Sequence, residues 1–165
     1  MVELVVAPLD EGEYLLTVTG PNLIPVLESF QVGSASFFTS INEFSVDDNM
    51  NDDSYGNGDA EVNPGETIEL SINLFNSGEN ECEMSTVTLS SASAWVEITR
   101  SQVGYPAIRP GEDRDGASPF IFRCLPGTPD GEILEFNASV HSGDGDWSGS
   151  FDLRVVGYEF DLVEF

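Results

Sequence analysis

Apolar and polar residues alternate with period two along most of this chain, and the three-to-four-residue recurrence of an amphipathic helix is hard to find. The clearest run is 67–75, where Ile68, Leu70, Ile72 and Leu74 share one face and Glu69, Ser71 and Asn73 the other. The stretch 133–140 repeats it with Leu134, Phe136, Ala138 and Val140, and 148–156 with Phe151, Leu153 and Val155. Shorter candidates lie at 85–89, 95–98 and 119–124. Turn chemistry separates them: Asn63-Pro64-Gly65, Asn76-Ser77-Gly78, Arg109-Pro110-Gly111, and the run from Pro126 to Gly131. Short strands with turns at this spacing predict an all-β chain in which residues 41–157 form one β-sandwich.

The N-terminal part fits that sandwich less directly. Segments 2–7, 14–19 and 27–32 are strand candidates, too few to close a domain by themselves. Gly33-Ser34-Ala35-Ser36 then reads as a linker. A loose echo of Gln31-Val32-Gly33 in Val155-Val156-Gly157 suggests a slice of a tandem array. Residues 1–33 would then be the C-terminal strands of a preceding small β domain, 34–40 the linker, and 158–165 the start of a following segment. The alternative pairs 1–33 onto the same sandwich.

Composition narrows the chemistry. The 165 residues carry 30 Asp and Glu against 5 basic residues, a net charge of −25. All the basic residues are arginines: Arg100, Arg109, Arg114, Arg123 and Arg154. Without lysine there is no Walker-type phosphate loop, Schiff base or lysine–asparagine isopeptide link. So acidic a surface repels nucleic acid and favours cations. It also suits a high-salt habitat, where the charge serves solubility. No apolar run approaches the roughly 18 residues of a membrane span, and the first residues do not read as a signal peptide. An export signal would lie outside this sequence. Eleven Phe and two Trp, with 40% hydrophobic residues, supply a real core. Cys82 and Cys124 are either one disulfide, worth about 3–4 kcal/mol on the loop-entropy account, or two buried thiols.

The densest chemistry lies at 47–61, where carboxylates and Asn amides crowd around Gly56 and Gly58. Such a run repels itself, and either stays solvated or takes a hard cation. Calcium accepts six to eight oxygens from carboxylates, amides and carbonyls in a loop whose glycines allow sharp turns. Asp47, Asp53, Asn57, Asp59 and Glu66 are the candidate ligands. Magnesium, which seldom uses an all-protein cage, fits less well. The EF-hand pattern fails, because counting from Asp53 puts Tyr55 third and Pro64 twelfth. The turn from Ser142 to Trp147 is also acidic, but Asp144-Gly145 is first a hairpin signal.

Gly56-Asn57-Gly58-Asp59, Asn63-Pro64-Gly65-Glu66 with the strand after it, and Asn76-Ser77-Gly78 resemble the opening of an immunoglobulin-like module. Tyr105-Pro106, Arg109-Pro110-Gly111, Phe120-Ile121-Phe122 and the run from Trp147 to Val156 continue the pattern across 41–157. The likeness is to CARDB-type adhesion modules of bacterial secreted and surface proteins, as found C-terminal to gingipain-type peptidases. Residues 11–32 look like the last strands of the small β domain that follows such a peptidase. Ala60 stands where a glycine would tighten the loop. The resemblance implies a non-catalytic, calcium-stabilised spacer or adhesion domain, secreted or at the cell surface. Its partners would be neighbouring domains of the same polypeptide.

Two other functions compete. Trp95, Tyr105 and Trp147 are candidates for a surface that binds a glycan or a protein, although aromatics on strands usually pack. An enzyme would have to use His141, the single histidine, which is predicted to face solvent near a turn. No catalytic residue is assigned, and the chain is read as a non-enzyme.

Overall fold

The computed structural model describes residues 12–21, 24, 26–32 and 37–157. These form strands and turns without a helix, so none is long and apolar enough to cross a membrane. The chain divides into two compact units, 1–36 and 37–165. In the first, β1 (Gly12–Val18) and β2 (Val26–Val32) pair antiparallel from Gly12↔Val32 to Val18↔Val26. The strand expected at 2–7 and the segment 158–165 lie outside the described residues.

The second unit is a β-sandwich. Its strands are β3 (Thr39–Asp47), β4 (Thr67–Asn76), β5 (Ser85–Ser91), β6 (Val96–Arg100), β7 (Gln102–Tyr105), β8 (Asp113–Asp115), β9 (Phe120–Cys124), β10 (Ile133–Ser142) and β11 (Gly145–Arg154). One sheet has the order β3-β4-β9-β6, and the other β11-β10-β5-β7. Strands β8 and β9 share one edge of β4, pairing with Asn73–Phe75 and Thr67–Leu70 in turn. The alternation read from sequence decides which side chains turn inward. Ile68, Leu70, Ile72 and Leu74 of β4 face Leu134, Phe136 and Ala138 of β10 across the core, all nearly fully buried. Phe122, Phe136 and Phe151 run through it, with ring centroids 4.9 and 5.5 Å apart.

The turns follow their residues. Arg109-Pro110-Gly111-Glu112 closes with Glu112 N–H donating to the Arg109 carbonyl at 3.0 Å, and Gly111 has φ +73°. Proline second and a left-handed glycine third is what a type II turn requires. Asn63-Pro64-Gly65-Glu66 repeats the arrangement, with Gly65 at φ +94°. The expected hairpin joins β10 and β11, but its two turn residues are Gly143 and Asp144, since Gly145 already pairs with Ser142.

Two departures matter. Thr39 and Ser40, assigned by sequence to the linker, begin β3: they pair with Asn76 and Phe75, and Thr39 is buried. The alternation in β3 is hidden by a bulge at Asn42, where the register slips between Ile41 and Glu43. Strands β7 and β8, of four and three residues, are too short to show a period.

Candidate functional site

The loop between β3 and β4 folds around a carboxylate that the sequence reading passed over. Asp48 is 1% exposed. Its Oδ2 accepts the N–H groups of Asn57 at 3.0 Å and Gly58 at 2.7 Å, and its Oδ1 that of Ala60 at 3.0 Å. Gly56 passes so close that a Cβ there would sit 2.6 Å from Asp48 Oδ2, which explains the glycine. Glu66, also buried, accepts N–H groups from Asn57 and Asn63, each at 3.1 Å. Charge-assisted bonds from backbone donors offset the cost of removing both carboxylates from water.

Asn63 ties this loop to the far end of the chain. Its Oδ1 accepts from Asn57 Nδ2 at 2.9 Å, and its Nδ2 donates to the Val156 carbonyl at 2.8 Å. Val156 N–H donates to the Val62 carbonyl at 2.9 Å, and Val62 bridges Val155 in parallel. The loop therefore clasps the chain where it leaves β11.

Outside this buried layer, side chains cap the backbone two residues on. Asp47 accepts from Asn49 N–H, Asn49 from Asn51, Asn57 from Asp59, and Asp59 from Glu61, all between 2.8 and 3.0 Å. This is the Asx-turn chemistry for which Asn and Asp are suited. Met50, Asp52 and Ala60 take left-handed φ of +64°, +52° and +62°. Asp53 leaves the group and pairs with Arg100 at 2.5 Å. Burial pushes the Glu69 carboxyl up; the Asp53 N–H opposes this, and the charges of Asp52, Asp47 and Asp53 add to it.

Of the five expected ligands, the structure brings together Asn57, Asp59 and Glu66 through the Asn57 amide and its neighbours. Asp47 is engaged with Asn49, and Asp53 with Arg100. Among the described residues no three His, Cys, Asp or Glu side chains converge as metal ligands. The buried pair, Asp48 and Glu66, aims its oxygens at N–H groups and is ill suited to a cage. The carboxylates on the solvent face are Asp47, Asp52, Asp59 and Glu61, and of these Asp47 and Asp59 already accept hydrogen bonds on both oxygens. Asp48 follows the end of β3 on the side that Val46 turns to the core, and because the bulge hides the alternation of β3, nothing in the sequence sets it apart from its acidic neighbours.

The disulfide alternative is corrected. Cys82 and Cys124 are both buried and free. Cys82 exchanges backbone hydrogen bonds with Ile108, whose carbonyl also accepts from Asn76 at the end of β4. Cys124 N–H donates to the Glu66 carbonyl, beside the start of β4. The ten residues of β4 span about 30 Å, far beyond the 7 Å or so that a disulfide bridges. Burial raises the pKa of both thiols.

The aromatic trio does not form a platform. Tyr105 on β7 is buried, and its hydroxyl donates to the Ile72 carbonyl at 2.8 Å. Trp147 lies on β11, at the opposite edge of that sheet, with its inward parity set by Val140. Trp95 precedes β6 in the other sheet, and both tryptophans pack against the core. His141 stands exposed on β10, paired through Nδ1 with Asp146. Asp144 accepts the Glu83 N–H at 2.8 Å, which gives the second acidic turn a tethering role. Compared with known proteins, the chain matches no family model and no curated protein sequence.

Proposed function

We propose that the sandwich is a non-catalytic, immunoglobulin-like module that acts as a spacer or adhesion domain in a secreted or cell-surface multidomain protein. The observation that carries this reading is the clasp of Asp48, Asn63 and Glu66 on the chain leaving β11. A spacer transmits orientation only if its exits are held, and this loop holds one with side-chain and backbone hydrogen bonds together. The strand orders also support it. We read β3, β4, β9 and β6 as A, B, E and D, and β5, β10 and β11 as C, F and G, by analogy with the immunoglobulin scheme. The chain visits β6 before the extra edge strand β7, a variation on that scheme.

Calcium enters this proposal as a counter-ion drawn to the outward carboxylates of Asp47, Asp52, Asp59 and Glu61, whose mutual repulsion a divalent cation relieves. Hydrogen exchange, followed residue by residue in EDTA, in millimolar calcium and in millimolar magnesium at fixed ionic strength, tests both parts. Slow exchange of the Val156 amide in every condition supports a held exit, and exchange as fast as in an unstructured peptide sinks it. Extra protection of residues 57–66 with calcium and not magnesium supports the cation. Equal protection in all three conditions removes calcium from the reading.

A further inference from the structure

Asn57-Gly58 is the one Asn-Gly step in the chain. It is the sequence most open to deamidation, because glycine offers no side chain to hinder attack by its own nitrogen. The reaction needs the Gly58 nitrogen to lose its proton to a solvent base and attack Asn57 Cγ. The Cγ–Nδ2 bond then breaks, ammonia leaves, and a succinimide forms. Water opens that ring at either carbonyl, giving aspartate or isoaspartate. We propose that Asn57 is a latent deamidation site, closed while Asp48 holds the Gly58 N–H and irreversible in its consequences once the loop has opened.

The guard is electrostatic, since Asn57 itself is exposed. The Gly58 N–H donates to Asp48 Oδ2 at 2.7 Å. Removing that proton would set a second negative centre 2.7 Å from the buried Asp48 carboxylate, at a part-buried contact. The Asn57 side chain is also held at both ends. Its Oδ1 accepts from Asp59 N–H at 2.8 Å, and its Nδ2 donates to Asp59 Oδ2 and Asn63 Oδ1 at 2.8 and 2.9 Å. Ring closure therefore requires the loop to release several bonds at once.

The product cannot resume the old geometry. A carboxylate at position 57 presents an oxygen where Nδ2 stood, against the oxygens of Asp59 and Asn63. Two donated bonds become contacts between acceptors, and buried Asn63 loses the donor to its Oδ1. The isoaspartate form also lengthens the backbone by one carbon, which shifts the Gly58 and Ala60 N–H groups away from Asp48. A transient opening is thereby converted into a permanent one.

The test incubates the folded chain beside a synthetic peptide of residues 52–62 in mildly alkaline buffer and counts converted Asn57 by peptide mapping. Conversion in the folded chain is expected to be slower by roughly ten-fold or more, since it must pass through local opening. Equal rates would overturn the proposal. Asp48→Asn, which keeps the shape and removes the charge, should accelerate Asn57 while leaving Asn76-Ser77 unchanged. Acceleration of both steps together would mean that global folding, and not Asp48, is the guard. Asn57→Asp should melt below the wild type, and an identical melt would refute the irreversible consequence.

Discussion

At the scale of single residues, the loop is governed by where carboxylates find donors. Asp48 is buried because it sits on the inward parity of β3, and it is tolerated because three N–H groups converge on it. Ala60 shows the opposite tension. Its N–H is needed by Asp48, yet its φ of +62° suits glycine. Ala60→Gly should stabilise the chain by about 0.5–1 kcal/mol, the left-handed cost removed less the entropy that glycine adds to the unfolded state. The denaturant midpoint measures it. Glu69 supplies a pH test. Its pKa lies above the ordinary 4.5 in the folded chain, so the folded state binds the proton more tightly than the unfolded state does. Its contribution to stability therefore falls as pH rises from about 4.5 through the raised value, and ionised Glu69 is destabilising at neutral pH. Glu69→Gln should raise the melting temperature at pH 7, and the difference from wild type should vanish below about pH 4.5. A difference that is the same at both pH values would contradict the assigned cause.

At the scale of elements, the sheets are joined by particular polar contacts as well as by the core. Ile72 lies in the two-residue gap between the stretches of β4 that pair with β9 and β8, and its carbonyl takes the Tyr105 hydroxyl from the opposite sheet. Burial and then the charge of Asp115 push the Tyr105 phenol upward, so it stays a donor at all ordinary pH values. Tyr105→Phe leaves the carbonyl without that donor, and should cost about 1–2 kcal/mol with no change in fold. Urea titration with the far-ultraviolet spectrum of both proteins checks it. The long strands β4, β10 and β11 were legible because inward side chains repeat over many residues. Strand β3 was not, because the Asn42 bulge breaks the period, and its Asn42–Asn73 hydrogen bond of 3.0 Å pairs residues 31 apart.

At the scale of the molecule, charge dominates. Among the described residues, three of the five arginines form ion pairs, with Asp53, Glu81 and Glu112, and five arginines cannot neutralise the 30 acids of the sequence. Compaction brings like charges together, so the folded chain carries a repulsion that salt relieves. Raising sodium chloride from about 0.01 M to 1 M shortens the screening length from about 30 Å to 3 Å. The melting temperature should rise steadily over that range, and a flat or falling profile would refute the argument. Calcium at matched ionic strength separates specific binding from this general screening.

The sequence by itself determined the long strands β4, β10 and β11, the turns and the acidic loop. Period-two burial, Pro-Gly and Asn-Gly steps and like-charge runs are local properties that act within a few residues. It also marked 47–61 as the place of the densest chemistry. Only the tertiary structure decided what that chemistry is. Which carboxylate turns inward, that Asp48 and Glu66 spend their oxygens on backbone donors, that Asp53 finds Arg100, and that Asn63 reaches Val156 depend on the meeting of segments far apart in sequence. The two cysteines and three aromatics fell to the same cause. Their residue types allowed a bridge and a platform, but β4 holds the thiols a strand length apart, and the sheets turn Tyr105 inward.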